Sequence, residues 1–377
     1  MIVYLDCNAT TPMDSEVLSE VVRFMSEEFG NAGSRTHGFG QRAKKATQKA
    51  RDQVAAVVGV KRNEVIFTSG ATESNNLALL GLAEHGRATN RRHIISSKIE
   101  HKAVLEPLEL LQSRGFEVTL LSPNSGGWID PDEVEANLRS DTLLVSLMHV
   151  NNETGIIQPI DEVCSKLHGH EAYFHVDAAQ SFGKLIEPLR NARIDLISVS
   201  GHKIYGPKGV GALIARRRGY SKPPLQPIMV GGGQERGLRP GTLPVHLAVG
   251  LGKAAEQALL HHKARQKSCE DFRDTLIAEL EPLQPTWVGD NSQRLFNTAS
   301  LRFPGVDSEA MMVQLKNLVA ISNGSACTSS SYEPSHVMLA MGLSEDEAQE
   351  VLRLSWYHDS DVPDWMAIRE AIGRLRG

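Results

Sequence analysis

Short apolar runs separated by amphipathic stretches organise the first two-thirds of the chain. Val65-Ile66-Phe67, His93-Ile94-Ile95, Thr142 to Val150, Tyr173 to Val176, Leu196 to Val199 and Val210 to Ala215 each read as a short buried strand. Between them, Ala46, Ala50, Val54 and Val57 recur every three to four residues and predict a helix, and another opens near Ala103. Strands alternating with helices predict a mostly parallel central sheet with helices on both faces. The rhythm changes after about Leu243. Val245 to about Leu280 reads as one long helix, Ala299 to Phe303 and Leu318 to Ser322 as strands, and Glu345 to Leu352 as a helix. The expectation is an α/β chain with a large domain over residues 16–255. A smaller α+β domain is expected from residues 1–15 and 256–377.

Composition narrows the picture. The chain has 377 residues, 41% apolar and 23% charged, enough for a sizeable core, which excludes a disordered chain and a disulfide-stapled miniature. The formal charge is −5, from 40 basic and 45 acidic residues, so no direct nucleic-acid footprint is expected. No apolar run approaches the roughly 18–20 residues of a membrane span. The opening Met1-Ile-Val-Tyr-Leu-Asp-Cys-Asn8 has neither a basic region nor a cleavage site. The four cysteines, Cys7, Cys164, Cys269 and Cys327, lie far apart, with no redox or metal-binding spacing. A cytoplasmic enzyme without a metal is the expectation.

In open α/β sheets ligands gather beyond the carboxyl ends of the strands. The polar residues that follow the strands are Thr68-Ser-Gly-Ala-Thr72, Lys98-Ile-Glu-His101, His149-Val-Asn-Asn152, Asp177-Ala-Ala-Gln180 and Ser200-Gly-His-Lys203. The turn Gly70-Ala71-Thr72 offers free backbone N–H groups to an anion such as phosphate, or is a helix cap made by Thr72 or Ser69. Lys203 follows a buried strand, where desolvation would favour a nucleophilic amine, and Lys208 is the competing candidate. Asp177, 26 residues earlier, ends another strand and either pairs with a cationic ring nitrogen or caps a helix. A Schiff-base lysine, an acid partner and a phosphate cradle are what pyridoxal 5'-phosphate requires. His101 could stack on a ring and move protons.

Two further residues stand out. Cys327 lies in Ser322-Asn-Gly-Ser-Ala-Cys-Thr-Ser-Ser-Ser331, where no local apolar neighbour is available to bury it, so an accessible, reactive thiol is expected. Arg353 lies between apolar neighbours and reads as a clamp for a carboxylate, or as the partner of an internal acid.

The chain resembles the cysteine desulfurases of the NifS/IscS group, among the class V aminotransferase-like, fold-type I pyridoxal phosphate enzymes. The resemblance runs through Tyr4-Leu-Asp-Cys-Asn-Ala-Thr-Thr-Pro12, Phe29-Gly-Asn31, Thr68 to Asn75, Glu100-His101, His149 to Gly155, His175 to Gln180, Ser200 to Gly209, Arg239-Pro-Gly-Thr-Leu-Pro244 and Gly324-Ser-Ala-Cys-Thr328. It implies that Lys203 binds the cofactor covalently, that Asp177 pairs with its ring nitrogen and Gln180 with its ring hydroxyl, and that His101 stacks on it. It assigns Ala71, Thr72, Ser200 and His202 to the phosphate, and Thr242 to the phosphate of a partner subunit, hence a homodimer. Asn152 and Arg353 would hold the substrate carboxylate, with Asn152 also beside the cofactor. L-Cysteine would give L-alanine and a persulfide on Cys327, destined for a sulfur-acceptor protein.

Three features depart from the group's pattern. Cys7 stands where relatives often have Tyr or Asn, and no role is assigned to it. Trp356-Tyr-His-Asp follows Arg353, and the chain ends 24 residues beyond Arg353, where housekeeping members carry a longer tail that docks the iron–sulfur scaffold. Ala326-Cys-Thr-Ser-Ser-Ser-Tyr-Glu-Pro-Ser335 is similar to the loop of the DndA-type desulfurases that feed DNA phosphorothioate modification. Iron–sulfur or tRNA-thiolation sulfur supply, a related aminotransferase or selenocysteine lyase, and a non-catalytic sulfur-relay scaffold are the alternatives.

Overall fold

A computed structural model describes residues 2–324 and 334–376. The strands are β1 (Val3–Tyr4), β2 (Val65–Thr68), β3 (His93–Ser97), β4 (Glu117–Leu121), β5 (Thr142–Met148), β6 (Tyr173–Asp177), β7 (Leu196–Ser200), β8 (Gly211–Ala215), β9 (Thr286–Trp287), β10 (Thr298–Arg302), β11 (Val319–Ala320) and β12 (Val351–Ser355). The helices are α1 (Ser15–Ser26), α2 (Gly38–Val58), α3 (Ala71–Gly81), α4 (Ala83–Ala88), α5 (Lys102–Ser113), α6 (Pro131–Ala136), α7 (Ile160–Lys166), α8 (Val245–Leu280), α9 (Ser308–Leu315), α10 (His336–Ala340), α11 (Glu345–Gln349) and α12 (Trp365–Gly373).

Seven strands form the central sheet in the order β2-β8-β7-β6-β5-β3-β4. All run parallel except β8, which pairs antiparallel with both of its neighbours. The α/β expectation therefore holds. Side chains alternate between the two faces as a strand's period of two requires. Val65 and Phe67 of β2 enter the core shared with α2, α7 and α8, while Ile66 enters the core on the opposite face. A separate cluster gathers Val3, Leu5, Leu301, Leu352 and Trp356 around the smaller sheet β12-β10-β9.

Helix α8 serves both clusters. Ala248, Leu251 and Ala254 pack in the first, and Cys269, Leu276 and Leu280 in the second. Two expectations need correction. The helix expected over Glu345 to Leu352 stops at Gln349, and Val351 and Leu352 instead pair with Arg302 and Leu301. Pairing with a strand some fifty residues away outweighs local helical spacing. β4 was not expected at all. It is an edge strand, half exposed, and lacks a continuous apolar run.

The parallel strands end together. Met148 lies opposite Asp177, and Asp177 opposite Ser198. The residues after β2, β5, β6 and β7 therefore share one edge. Gly211 of β8 lies directly beneath the turn that follows β2. A Cβ at this position would lie 2.2 Å from the Val199 carbonyl oxygen and 2.6 Å from Gly70 Cα. Gly211→Ala should therefore destabilise the fold by about 1–3 kcal/mol in urea denaturation, because backbone must move. Gly233→Ala, with nothing within 4 Å, should stay within about 0.5 kcal/mol of the parent.

Candidate active site

A cavity of about 480 Å³ opens over the carboxyl ends of β2, β5, β6 and β7. Ala71, Thr72, His101, Asn152, Asp177, Gln180, Ser200, His202, Lys203 and Arg353 all line it, and so does Lys208. Thr242 does not. It is exposed in the stretch before α8. Cys327 lies outside the described residues.

The anion-facing wall is the N-terminus of α3. Its cap residue is Gly70, which supplies no capping side chain, so neither Ser69 nor Thr72 takes that role. The first N–H groups of the helix and its positive dipole end face the cavity. A Cβ on Gly70 would sit 3.7 Å from Ser200 Oγ, which lies across the seat. His202 completes it. Burial, with Lys203 and Lys208 nearby, pushes its imidazole down to about 4, so it is neutral at pH 7. Its Nδ1 lies 3.1 Å from Thr10 Oγ1.

Lys203 stands on the single helical turn Gly201–Lys203 directly after β7. Its Nζ donates to the carbonyl oxygens of Asn8 and, at 2.8 Å, Ala9. Lys203 is half-buried, and backbone carbonyls stand in for water at its amine. Two residues later Tyr205 adopts φ 65°, a left-handed conformation rare for an aromatic residue. It is held by a bond from its N–H to Thr11 Oγ1 at 3.0 Å.

Asp177 is fixed at both oxygens. Asn75 Nδ2 donates to Oδ2 at 2.7 Å and the Ala179 N–H donates to Oδ1 at 2.9 Å. The carboxylate is 5% exposed and lies across the cavity wall from Lys203. Gln180 Nε2 donates to the Asn8 carbonyl at 2.9 Å, while its buried Oε1 has no partner. His101 caps α5, accepting the Ala103 N–H at Nδ1 over 3.0 Å.

Arg353 is 2% exposed. One arm donates to Asp6 Oδ1 at 2.6 Å and another to the Asn152 carbonyl at 2.9 Å. Its pairing with an internal acid is realised, and the same arginine lines the cavity. Asn152 presents its carbonyl to Asn8 Nδ2 as well.

Sequence reasoning passed over Asn8, Asn75 and Glu100. All three lie within stretches that carry the resemblance, but the partners of Asn8 and Asn75 are 172 and 102 residues away. Glu100 is fully buried beside the cavity. Ser97 Oγ and the Met148 N–H donate to its Oε1, and Oε2 has no partner. Burial outweighs those two bonds, and with Asp177 nearby it pushes the carboxyl up to about 8. Elsewhere Cys7, Cys164 and Cys269 are buried, and burial pushes each thiol up to about 12.

The donor set fits pyridoxal 5'-phosphate. A dipolar seat for a dianion, a carboxylate fixed for a ring nitrogen, an orphaned amide oxygen and a lysine amine converge on one cavity of suitable size.

The aminotransferase class-V family model matches residues 3–365. A cysteine desulfurase IscS from Shewanella sp. strain W3-18-1 is 46% identical over 356 residues, 94% of this chain and 87% of that protein. The crystal structure of DndA from Streptomyces lividans is 51% identical, with a TM-score of 0.83, covering 94% of this chain and 99% of that one. A structure of SspA in complex with cysteine is 39% identical, with a TM-score of 0.82, covering 94% and 98%.

Glu100 carries a test by pH. In the native state it keeps its proton up to about pH 8, whereas an ordinary glutamate releases it near 4.5. The native state then binds one more proton across that window, so stability should fall as pH rises from about 4.5 to 8 and level off above it. Glu100→Gln, which cannot ionise, should flatten this slope. Chemical denaturation of both proteins from pH 4.5 to 9 checks it, and parallel slopes would contradict it.

Proposed function

This chain belongs to the class V aminotransferase family and is a pyridoxal-phosphate-dependent cysteine desulfurase, and on that premise we propose the role of each residue in the site. The observation that carries the reading is the convergence of Lys203, Asp177 and the α3 N-terminus on one cavity. Lys203 would hold the cofactor, Asp177 its ring nitrogen, Gln180 its ring hydroxyl, and Ala71, Thr72, Ser200 and His202 its phosphate. When bound, the cofactor supplies an electron sink for the carbanion formed at the substrate Cα.

The remaining work falls to the chain. Arg353, oriented by Asp6 and Asn152, holds the carboxylate of L-cysteine. Lys203 then takes the Cα proton, and His101 stacks on the ring face and moves protons. The Cys327 thiolate attacks the substrate sulfur. A sulfur–sulfur bond forms, the Cβ–S bond breaks, and its electron pair goes to Cβ, which is protonated. The balance is L-cysteine plus a thiol giving L-alanine plus a persulfide, with no external oxidant. Asn75 and Ala179 serve the step indirectly by keeping Asp177 oriented.

The enzyme transfers sulfur to an acceptor protein, and we assign that acceptor to DNA phosphorothioate modification. The 51% identity to DndA supports this, as does the sequence of residues 326–335. The chain itself needs no contact with DNA, in keeping with its net negative charge. Among the described residues no helix is long and apolar enough to cross a membrane, and a cytoplasmic setting fits sulfur supply to such an acceptor. The two packing clusters suit a large domain over residues 16–255 with a small one from residues 1–15 and 256–377.

A second copy of the chain would complete the site. Leu18, Val22 and Met25 stand exposed on one face of α1, with Phe29 and Phe39 stacked beside it at 5.3 Å. Such a patch calls for a partner surface. In a dimer the exposed Thr242 would reach the other subunit's phosphate seat. Met25→Glu with Phe29→Glu should shift the species seen by sedimentation from dimer to monomer and weaken cofactor retention. A monomeric parent protein would overturn the assignment.

The direct test pairs a spectrum with product assays. The parent protein should show a visible band near 400 nm and, with L-cysteine and a reductant, release alanine and sulfide in equal amounts. Lys203→Ala should lose the band and all turnover. Cys327→Ala should keep the band and lose sulfide production by at least about 100-fold. Normal sulfide output from Cys327→Ala would remove that residue from the mechanism.

A further inference from the structure

The chain that carries Cys327 leaves and rejoins the described structure at two stems, and both stems meet the same side chain. On the outgoing side, Ser322 exchanges backbone hydrogen bonds with Arg353, its N–H to the Arg353 carbonyl at 3.3 Å and the reverse at 2.7 Å. The Gly324 N–H then donates to Ser322 Oγ at 3.0 Å. Gly324 has φ +88°, and a Cβ on it would lie 3.3 Å from Glu153 Oε2. Glycine thus lets the stem turn in a left-handed conformation against that carboxylate. On the returning side, Ser335 Oγ donates to the same Glu153 Oε2. The Ser335 hydroxyl also caps α10, accepting from the Val337 and Met338 N–H groups at 3.2 and 3.3 Å, which aims its proton at Glu153. The next residue, His336, lies with Nε2 3.0 Å from the Glu100 carbonyl, one residue before His101.

Glu153 is itself rigidly held. It is 5% exposed, and its N–H donates to Asn151 Oδ1 at 2.9 Å, as does that of Thr154. Asn152, which lines the cavity and accepts from Arg353, is its immediate neighbour. One buried carboxylate therefore bonds the returning stem of the cysteine-bearing segment beside the wall of the substrate cavity, and the outgoing stem packs against it.

We propose that Glu153 is a positioning residue for sulfur transfer, tying the Ser335 stem beside the cavity wall and bracing the Gly324 stem, so that the anchorage of the segment bearing Cys327 is fixed. The proposal rests on Cys327 being the sulfur acceptor. Chain connectivity gives the constraint its force. Cys327 is the third residue after Gly324, a reach of at most about 11 Å, so where the stem is held decides where the thiol can go. Sulfur transfer requires the thiolate to come within about 3–3.5 Å of the substrate sulfur, and misplacement by an ångström can cost about 100-fold. Glu153 is not among the residues lining the cavity, so its loss should spare the steps that precede transfer.

The test separates those steps. In rapid mixing of the holoenzyme with L-cysteine, the change in visible absorbance reports substrate binding and the first burst of alanine reports transfer to the thiol. Glu153→Ala and Ser335→Ala should each slow the burst by about 10-fold or more, with the cysteine concentration at half-maximal absorbance change unaltered. The double variant should be no slower than either single one, because both remove the same tie. Glu153→Gln, which keeps an acceptor oxygen at the same place, should stay within about 3-fold of the parent and shows that the fold survives. An unchanged burst in Glu153→Ala, multiplicative effects in the double variant, or a parallel loss of cysteine binding would each overturn the proposal. A normal alanine burst from Cys327→Ala would instead sink the underlying assignment of the acceptor thiol, whatever the Glu153 variants do.

Discussion

The carbonyl oxygen of Asn8 is the point on which the site depends. It accepts from Lys203 and from Gln180, while the side chain of the same residue donates to the Asn152 carbonyl and to Thr298 Oγ1. Its own N–H donates to Ser355 Oγ. One asparagine, 2% exposed, thus connects the lysine turn after β7, the turn after β6, the turn after β5 and the small sheet. Its neighbours extend the tie. Asp6 engages Arg353, Ala9 shares Lys203, and Thr11 bonds both His202 and Tyr205. The N-terminal strip is therefore a floor across which lysine and arginine are set at fixed positions, although both are long side chains with much rotamer freedom to lose.

Charge in the site is arranged by unequal burial. Asp177 keeps a donor on each oxygen, whereas Glu100, close by, has donors on one oxygen only and is held as the neutral acid. His202 is held neutral by burial as well, helped by the two lysines nearby. The cavity is thereby lined by one carboxyl group bonded at both oxygens and a neutral imidazole, with Glu100 beside it kept from adding a second anion.

Much of this was legible in the sequence where chemistry follows directly after a strand. Lys203, Asp177 and the Gly70 turn could be placed on one edge because strand polarity alone sends them there. What escaped is long-range. Asn8 and Glu153 act on partners about 170–195 residues away, and no local pattern encodes that. The protonation of Glu100 escaped too, because it follows from complete burial rather than from residue type. The strand at Val351–Ser355 was misread as helix for a related reason, since only its register with β10 distinguishes the two. The edge strand β4 lacks the apolar run that marks its neighbours.

The three buried cysteines bear on how this enzyme handles a labile sulfur atom. A persulfide exchanges its outer sulfur with any thiolate it meets, and only the ionised thiol attacks. With thiols pushed to about 12, Cys7, Cys164 and Cys269 are ionised in roughly one molecule in tens of thousands at pH 7.5. They are also shut away from solvent. The protein surrounding the carrier is thus chemically deaf to its own cargo. Sulfur loaded at one position has no internal branch to leak into, and its onward path is set by whichever external acceptor arrives.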